Sequence, residues 1–557
     1  MQKIESDYFE QFKKSTEYEA FKKSPVAYFC AEYALESGFP SYAGGLGILS
    51  GDYIRVAGKQ RFPLLAVGIR YQRGQSLPSK EDKKSNITLT KVVDKDGKDI
   101  LILIPIEHRD VHVKAWHWQE GDAEVYLLDT DIEENNIGDR GITKNLYDMD
   151  RDIRLKQEII LGIGGFRLLA ALGYHASVYH LNEGHSAFLA LELIRHEMEH
   201  QKVNFKEACE YAKQHILFTN HTLALAGQEK FAPEKVAQFI EMCAKDVCLD
   251  GSVISDLGLP ASDVNMFSMT TFSFRLSSKA NTVSKIHYDN AQLVWPGQAM
   301  DNVTNGIFID RWDKIGNSTE NILSAHLENK RKLLSLVKER TGQSWGENDL
   351  VFVWARRLVE YKQPLFLFSD IEKLVEIFKN SPVPIRMIFA GPNVPNDNHF
   401  QDILEGIFTE KLPGSAVFID EYNIDLSQIF TSGADVWLNT PMIGTEACGT
   451  SGMKAALNGA LSLSTSDGWI NEVNHEDVGW VTHDSSSNAD MLRLIQDEVI
   501  PAYAEHLENP NSSLWSERMI RARRLILEQF PTTRMLREYI EKLYLPILAQ
   551  KHNHRVE

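Results

Sequence analysis

A chain of 557 residues is too long for a single hydrophobic core, so two or more domains are expected. Its composition, 43% hydrophobic and 24% charged, is that of a globular protein in water, and a formal charge of −18 argues against nucleic-acid or anionic-membrane partners. Five cysteines without a C-x-x-C pair fit free thiols in a reducing compartment; the first residues read as a polar helix rather than a signal peptide, and no apolar run approaches the ~20 residues of a membrane span, so a cytoplasmic location is expected.

In chain order, Val26 to Tyr33 (VAYFCAEY) predicts a buried strand. It runs into a glycine-rich turn that ends at Gly44, Gly45, Leu46 and Gly47, with a helix expected from Ile48 to Gly58. Such a turn leaves backbone amides that could face an anion, although strand-to-helix turns also use glycine for steric reasons alone. Four β-type runs follow (PLLAVGIRYQRG, ILILIPIE, DVHVKAWHW, AEVYLLD). Alternation in the third puts His112 and Val113 on opposite faces, which suits a sheet histidine better than a metal ligand. Asp152 to Leu172 has the helical period. The strand ASVYHLNEGH then ends in Asn182, Glu183 and His185, and ILFTNHT ends in Asn220 and His221; polar groups at strand ends are where open α/β sheets place ligands. Between these strands, His196-Glu-Met-Glu-His200 satisfies the zinc-protease pattern HExxH. Its third ligand would have to be the loosely placed Glu207 or Glu210, so a charged helix end accounts for the pattern.

Beyond about residue 305 strands and helices alternate. VFVWARRLVEYKQ, PIRMIFAGPN, AVFIDEYN and DVWLNTP are separated by helical runs such as Leu365 to Lys379 and His399 to Lys411, which predicts a parallel doubly wound sheet. Arg356, Arg357 and Lys362 put three cations at the end of the first of these strands, an arrangement that is costly unless an anion sits there. After the β-run VWLN comes Thr445-Glu-Ala-Cys-Gly-Thr-Ser-Gly-Met-Lys454-Ala-Ala-Leu-Asn-Gly459. Here Gly449, Thr450, Ser451 and Gly452 let a ligand approach a helix start whose first amides lack intrahelical partners, and Lys454 sits about one turn further on. The spacing is not that of a P-loop. A lysine one turn beyond an anion site suits imine formation with a phosphorylated aldehyde.

The string TEACGTSGMKAALNG, followed by STSDGWINE, closely resembles the pyridoxal-phosphate lysine motif of the glycogen and α-glucan phosphorylases. LLDTDIEEN, RLKQEIILGIGG and HLNEGHSAFLALE resemble the short bacterial branch of that family. The resemblance implies the α/β glycosyltransferase-B architecture: two Rossmann-like doubly wound domains facing a cleft, residues 1–304 and 305–557, with the last helices packing back on the first domain. It implies that Lys454 carries pyridoxal 5′-phosphate, held also by Arg356, Thr450, Ser451, Gly452 and Tyr422. Arg357 and Lys362 would bind the substrate phosphate. Glu32, Gly44, Gly45, Leu46, Gly47, His221, Asn305, Glu446, Ala447, Cys448 and Gly449 would form the phosphate and glucose site, and no metal is implied. The chain departs from the pattern in three places. Cys448 replaces a more usual serine and is a poorer hydrogen-bond partner; Leu223, Leu225 and Gln228 stand where prolines and a histidine are common; Gln363 and Pro364 replace basic or polar residues.

The activity so implied is reversible phosphorolysis of the terminal α-1,4-linked glucose of a glucan, giving α-glucose 1-phosphate with retained configuration, the cofactor phosphate assisting proton transfer. Partners would be glycogen or maltodextrin and inorganic phosphate, and family habit implies a homodimer. Two phosphates held close repel unless cations and amides neutralise them, which is why Arg356, Arg357, Lys362 and two glycine turns belong together. A nucleotide-sugar glucosyltransferase of the same architecture would explain the sheet and the cations, but not the Lys454 motif. A catalytically silent glucan-binding homologue would explain the departures, and a zinc hydrolase would rest on His196 and His200 alone.

Overall fold

The computed structural model describes residues 2–74, 85–223, 228–316, 321–393 and 397–553. The chain forms two compact units. The larger holds Lys3–Val283, Ala291–Val303 and Thr533–Glu557; the smaller holds Met1–Gln2, Ser284–Asn290 and Thr304–Thr532. The C-terminal segment thus belongs to the larger unit, where Tyr544 Oη lies 2.6 Å from Tyr53 Oη and 2.8 Å from His180 Nδ1. Among the described residues no helix is long and apolar enough to cross a membrane.

The larger unit is built on a ten-stranded sheet. Its parallel part runs Asp301–Asn302, Lys279–Thr282, Ile216–Thr219, Val178–Asn182, Val26–Phe29, Leu64–Ile69 and Ala123–Asp129. Arg109–Glu120 extends it antiparallel, and Thr90–Lys91 and Ile102–Ile106 pair with that strand in turn. Val26–Phe29 and Leu64–Ile69 are buried at every position, as their continuous apolar runs require of strands covered on both faces. Near the margin, Val111, Val113 and Ala115 are buried while His112, Lys114 and Trp116 are partly exposed, so the histidine alternation reflects a half-covered sheet.

The smaller unit carries an all-parallel six-stranded sheet in the order Ala416–Ile419, Ile385–Ala390, Leu350–Ala355, Val436–Asn439, Leu461–Thr465, Gly479–Thr482. Numbered by sequence, that order is 3-2-1-4-5-6, the doubly wound Rossmann arrangement. Period-two alternation divides its core: Phe352, Trp354, Met387 and Phe389 pack on one face, Val351, Val353, Ile388 and Trp437 on the other.

Three expected helices differ in their limits. The helix expected from Ile48 begins at Gly45 and runs to Gln60, so the glycines form its first turn rather than a turn before it. The helical stretch from residue 152 passes through a π-helical turn at Ile160–Gly164. There a Cβ on Gly162 would lie 2.6 Å from Leu189 N, and one on Gly165 would lie 2.5 Å from the Phe29 ring, so glycine permits an approach that regular side chains would block. Residues 365–379 split into a 3₁₀ turn, Phe366–Phe368, and a helix, Ile371–Asn380.

Candidate active site

In a doubly wound sheet, ligands bind beyond the carboxyl ends of the two strands where the order reverses. In the smaller unit those strands are Leu350–Ala355 and Val436–Asn439. The first leads into Arg356, Arg357 and Lys362; the second leads to residues 445–449 and the helix Thr450–Leu457. Gly449 starts this helix with φ +78° and no side-chain cap, so Thr450, Ser451 and Gly452 make up its first turn.

Topology brings Arg356, Lys362, Glu446 and Ser451 together here. Arg356 NH1 lies 3.3 Å from Glu446 Oε2, and its NH2 donates to Ser451 Oγ at 3.2 Å. Lys362 Nζ makes a close ion pair with the same Glu446 oxygen. Burial by itself would raise the Glu446 carboxyl, but Lys362 and then Arg356 overcome it and hold the group below the ordinary carboxylate range. Burial pulls Arg356 below the usual arginine value despite Glu446, and among the described residues its Nε has no hydrogen-bond partner. A part-buried guanidinium with an unused donor beside an uncapped helix start has capacity for an anion.

Lys454 is 5% exposed, and its Nζ sits 4.0 Å from the centre of the Trp312 ring. Asn458 Nδ2 donates to the carbonyls of both Lys454 and Trp312, at 2.8 Å each, and so fixes lysine and ring relative to each other. Tyr422 donates to Ser427 Oγ at 3.0 Å, stacks on Phe430 and feels the Arg356 charge. Cys448 is buried, Ala447 O accepts from Ser284 Oγ at 2.5 Å, and Asn305 is buried in the same unit. Arg357, by contrast, is exposed. Gln363 adopts φ +47° and donates to Ser485 O at 3.1 Å.

Two supporting residues escaped the sequence reading. Asp467 Oδ2 accepts the amides of Thr445 and Glu446 at 2.9 and 2.8 Å, and its Oδ1 accepts Gly468 N at 3.0 Å; together with the Trp469 N to Cys448 O bond of 2.8 Å this pins the turn that carries Glu446. The proximity of the SDGW string to the lysine motif was the available signal. Burial, more than the neighbouring Glu446, pushes Asp467 up to about 6, although the three amides oppose the shift. Its folded value therefore lies above the ordinary 3.8, so the fold binds the extra proton and its stabilising contribution fades as pH rises from about 4 to about 6. Unfolding of wild type and Asp467→Asn across this range should show that component, about 3 kcal/mol, only in wild type.

Gly391 is the second. At φ +149°, a Cβ there would lie 1.7 Å from Arg356 O, so Gly391→Ala must move the backbone that presents Arg356. Thermal unfolding should show a loss of about 3 kcal/mol or more.

In the larger unit, the reversal lies between Val26–Phe29 and Val178–Asn182. Glu32 Oε2 accepts the amides of Ala43 and Gly44, at 2.6 and 3.1 Å. The Gly44 amide is therefore engaged inside the protein, and no side chain caps the helix start at Gly45, Leu46 and Gly47. His221 Nε2 lies 2.7 Å from Asn182 Oδ1, and its amide donates to Glu183 Oε1 at 3.2 Å. Glu183 has φ +74°, and burial pushes its carboxyl up to about 7. Gln228 Nε2 donates to Leu223 O at 3.4 Å; Leu225 lies outside the described residues.

The HExxH histidines lie with ring centres 4.1 Å apart and ring planes tilted by 40°. Both notional third ligands are engaged elsewhere, Glu207 in a capping box with Asn204 and Glu210 with Lys213. A different trio, Glu158, His185 and Glu229, converges closely enough to hold a metal ion, but Arg154 lies 3.0 Å from Glu229 and 3.7 Å from Glu158 and already supplies the cation.

Two doubly wound α/β units, each with polar residues gathered where its strand order reverses, define the glycosyltransferase-B class of fold. The sequence profile of the carbohydrate phosphorylase family matches residues 316–482. The chain is 34% identical to a maltodextrin phosphorylase of Thermococcus litoralis, over 96% of its own length and 72% of that protein. Its identity to a glycogen phosphorylase of Aquifex aeolicus is 31%, over 96% of this chain and 88% of the other, and to a glycogen phosphorylase of Mycobacterium tuberculosis 30%, over 94% and 71%. The chain belongs to the carbohydrate phosphorylase family and is an enzyme of the glycosyltransferase type.

Proposed function

We propose that this enzyme is an α-glucan phosphorylase that transfers the terminal α-1,4-linked glucose of a maltodextrin or glycogen chain reversibly to inorganic phosphate, with pyridoxal 5′-phosphate carried on Lys454. The observation that carries the reading is the buried Lys454 amine against Trp312, on a helix whose uncapped first turn is met by Arg356. The residues present fit a phosphorylated aldehyde: an amine shielded from water, an unused guanidinium donor, and a first turn kept small because a Cβ on Gly452 would lie 2.9 Å from Trp469 Nε1. When bound, that group supplies a phosphate able to exchange a proton with the substrate phosphate.

In this reading the protein binds, orients and neutralises. Thr450, Ser451, Gly452, Tyr422 and Arg356 hold the cofactor. Lys362 and Arg357 are cations for the substrate phosphate, and Glu446 balances Lys362 and Arg356 while offering a carboxylate to a sugar hydroxyl. The amides of the uncapped helix start at Gly45, Leu46 and Gly47 hold anionic oxygen as well. His221, oriented by Asn182, accepts or donates one hydrogen bond to the glucose, as do Asn305, Ala447, Cys448 and Gly449.

Incubating the protein with maltooligosaccharides and orthophosphate should release glucose 1-phosphate. Activity with a nucleotide sugar but not with phosphate would favour the transferase reading, and bound cofactor without turnover would favour a silent homologue. Cytoplasmic residence and homodimer formation belong to the same proposal, and sedimentation of the purified protein tests the second.

A further inference from the structure

Glu32 poses an electrostatic problem. Its carboxylate orders the loop that precedes Gly45 by accepting two amides, yet in the proposed reaction this loop must attract a phosphate, and a bare negative charge beside it would oppose that. The seat is tight: a Cβ on residue 47 would lie 2.8 Å from Glu32 Oε2 and 2.5 Å from Tyr42 Cβ, so Gly47 is what lets the carboxylate sit there. Both amides use Oε2. The other oxygen, Oε1, takes a close hydrogen bond from Tyr147 Oη.

Tyr147 is held in turn. Its backbone adopts φ +54°, unusual for a tyrosine, and the Arg154 guanidinium lies 4.1 Å from its ring centre. Arg154 is 3% exposed; its NH2 donates to Glu229 Oε1 at 3.0 Å, and Arg151 NH1 donates to the second Glu229 oxygen at 3.0 Å. Burial would lower the Arg154 pKa, but Glu229 and Glu158 overcome it, so the guanidinium stays charged. Burial above all, then Glu32, keeps the Tyr147 phenol protonated and therefore a donor. The arrangement reads outward from the loop as carboxylate, phenol, guanidinium, carboxylate.

We propose that Tyr147, polarised by Arg154, is a positioning residue that lets an ionised Glu32 order the glycine loop without repelling the phosphate bound there. The phenol donates to the carboxylate and draws its charge inward, and the cation over the ring strengthens that donor. Glu229, one residue beyond the Gln228 departure, anchors the cation, so the substituted segment is tied to phosphate affinity through Arg154 and Tyr147. This inference rests on the phosphorolysis reading.

The test is Tyr147→Phe, which removes one hydroxyl and leaves the ring under Arg154. The Michaelis constant for phosphate should rise about ten-fold, the size expected for losing a hydrogen bond to a charged group, while that for maltooligosaccharide changes less than about two-fold. Independently of turnover, the phosphate concentration that half-saturates the rise in thermal midpoint should shift by the same factor. Adding Glu32→Gln should then restore phosphate affinity. A glutamine oxygen can still accept both loop amides, because both use one oxygen, and the uncovered charge is gone. An unchanged phosphate constant, or a parallel rise for both substrates that Glu32→Gln does not repair, overturns the proposal. If Tyr147→Phe does not fold, Glu229→Gln, which loosens Arg154, should give the same selective rise at about three-fold, and no rise overturns it. Wild-type protein assayed alongside separates the two failures: no phosphorolysis by wild type sinks the functional reading, whereas active wild type with an indifferent Tyr147→Phe sinks this inference alone.

Discussion

Lys454→Ala is expected to give folded protein that lacks the visible absorbance of bound pyridoxal phosphate and releases glucose 1-phosphate at least ~10³-fold more slowly than wild type. The fold should survive because the helix is fixed through Asn458 and the packing of Met453, Ala455 and Ala456, and the contact of the amine with the Trp312 ring is worth about 1–2 kcal/mol. Lys454→Arg sharpens the result. It keeps a cation over the indole, yet a guanidinium does not condense with an aldehyde, so it should be as colourless and inactive as the alanine variant. Retained colour and activity in either protein would remove Lys454 from its assigned role.

The second large effect is expected at Arg356. Arg356→Ala removes a part-buried cation that meets Glu446 and Ser451 and has a donor to spare, so anion affinity at the helix start should fall by about 10²- to 10³-fold. The measurement is the fraction of cofactor absorbance that survives dialysis, with the thermal midpoint recorded beside it. Because Lys362 still pairs with Glu446, the fold should lose less than when a buried ion pair is broken outright. Arg356→Lys keeps the charge and should recover most of the retention. Equal loss in both variants would mean that the guanidinium acts through its geometry rather than its charge.

Parts of this arrangement were legible along the chain because they are local. The lysine motif is contiguous, so a glycine start and a lysine one turn on are visible in fifteen residues, and Arg356 to Lys362 follow one strand directly. Helix limits were less legible: glycine is a poor helix former by propensity, yet Gly45 opens one helix, and Gly162 lies inside another where the close approach of residues 186–189 leaves no room for a side chain. Gly44 shows the same limit at the scale of one hydrogen bond. Its amide reads as available for an anion until Glu32, twelve residues earlier, turns back to take it.

By itself, the sequence determined the α/β class, the alternation of strands and helices, the family resemblance and the identity of the buried lysine, since each depends on spacing within one or two elements. Only the tertiary structure decided the strand order that puts both loop sets at a reversal point, the seat of Arg356 O against Gly391, the Asp467 clamp on the Glu446 turn, and the line from Glu229 through Arg154 and Tyr147 to Glu32. The physical reason is range. Parallel strands pair across intervening helices, and a buried charge finds its partner by proximity in space, so residues 32, 147, 154 and 229 carry no mutual signal until the sheet brings them into contact.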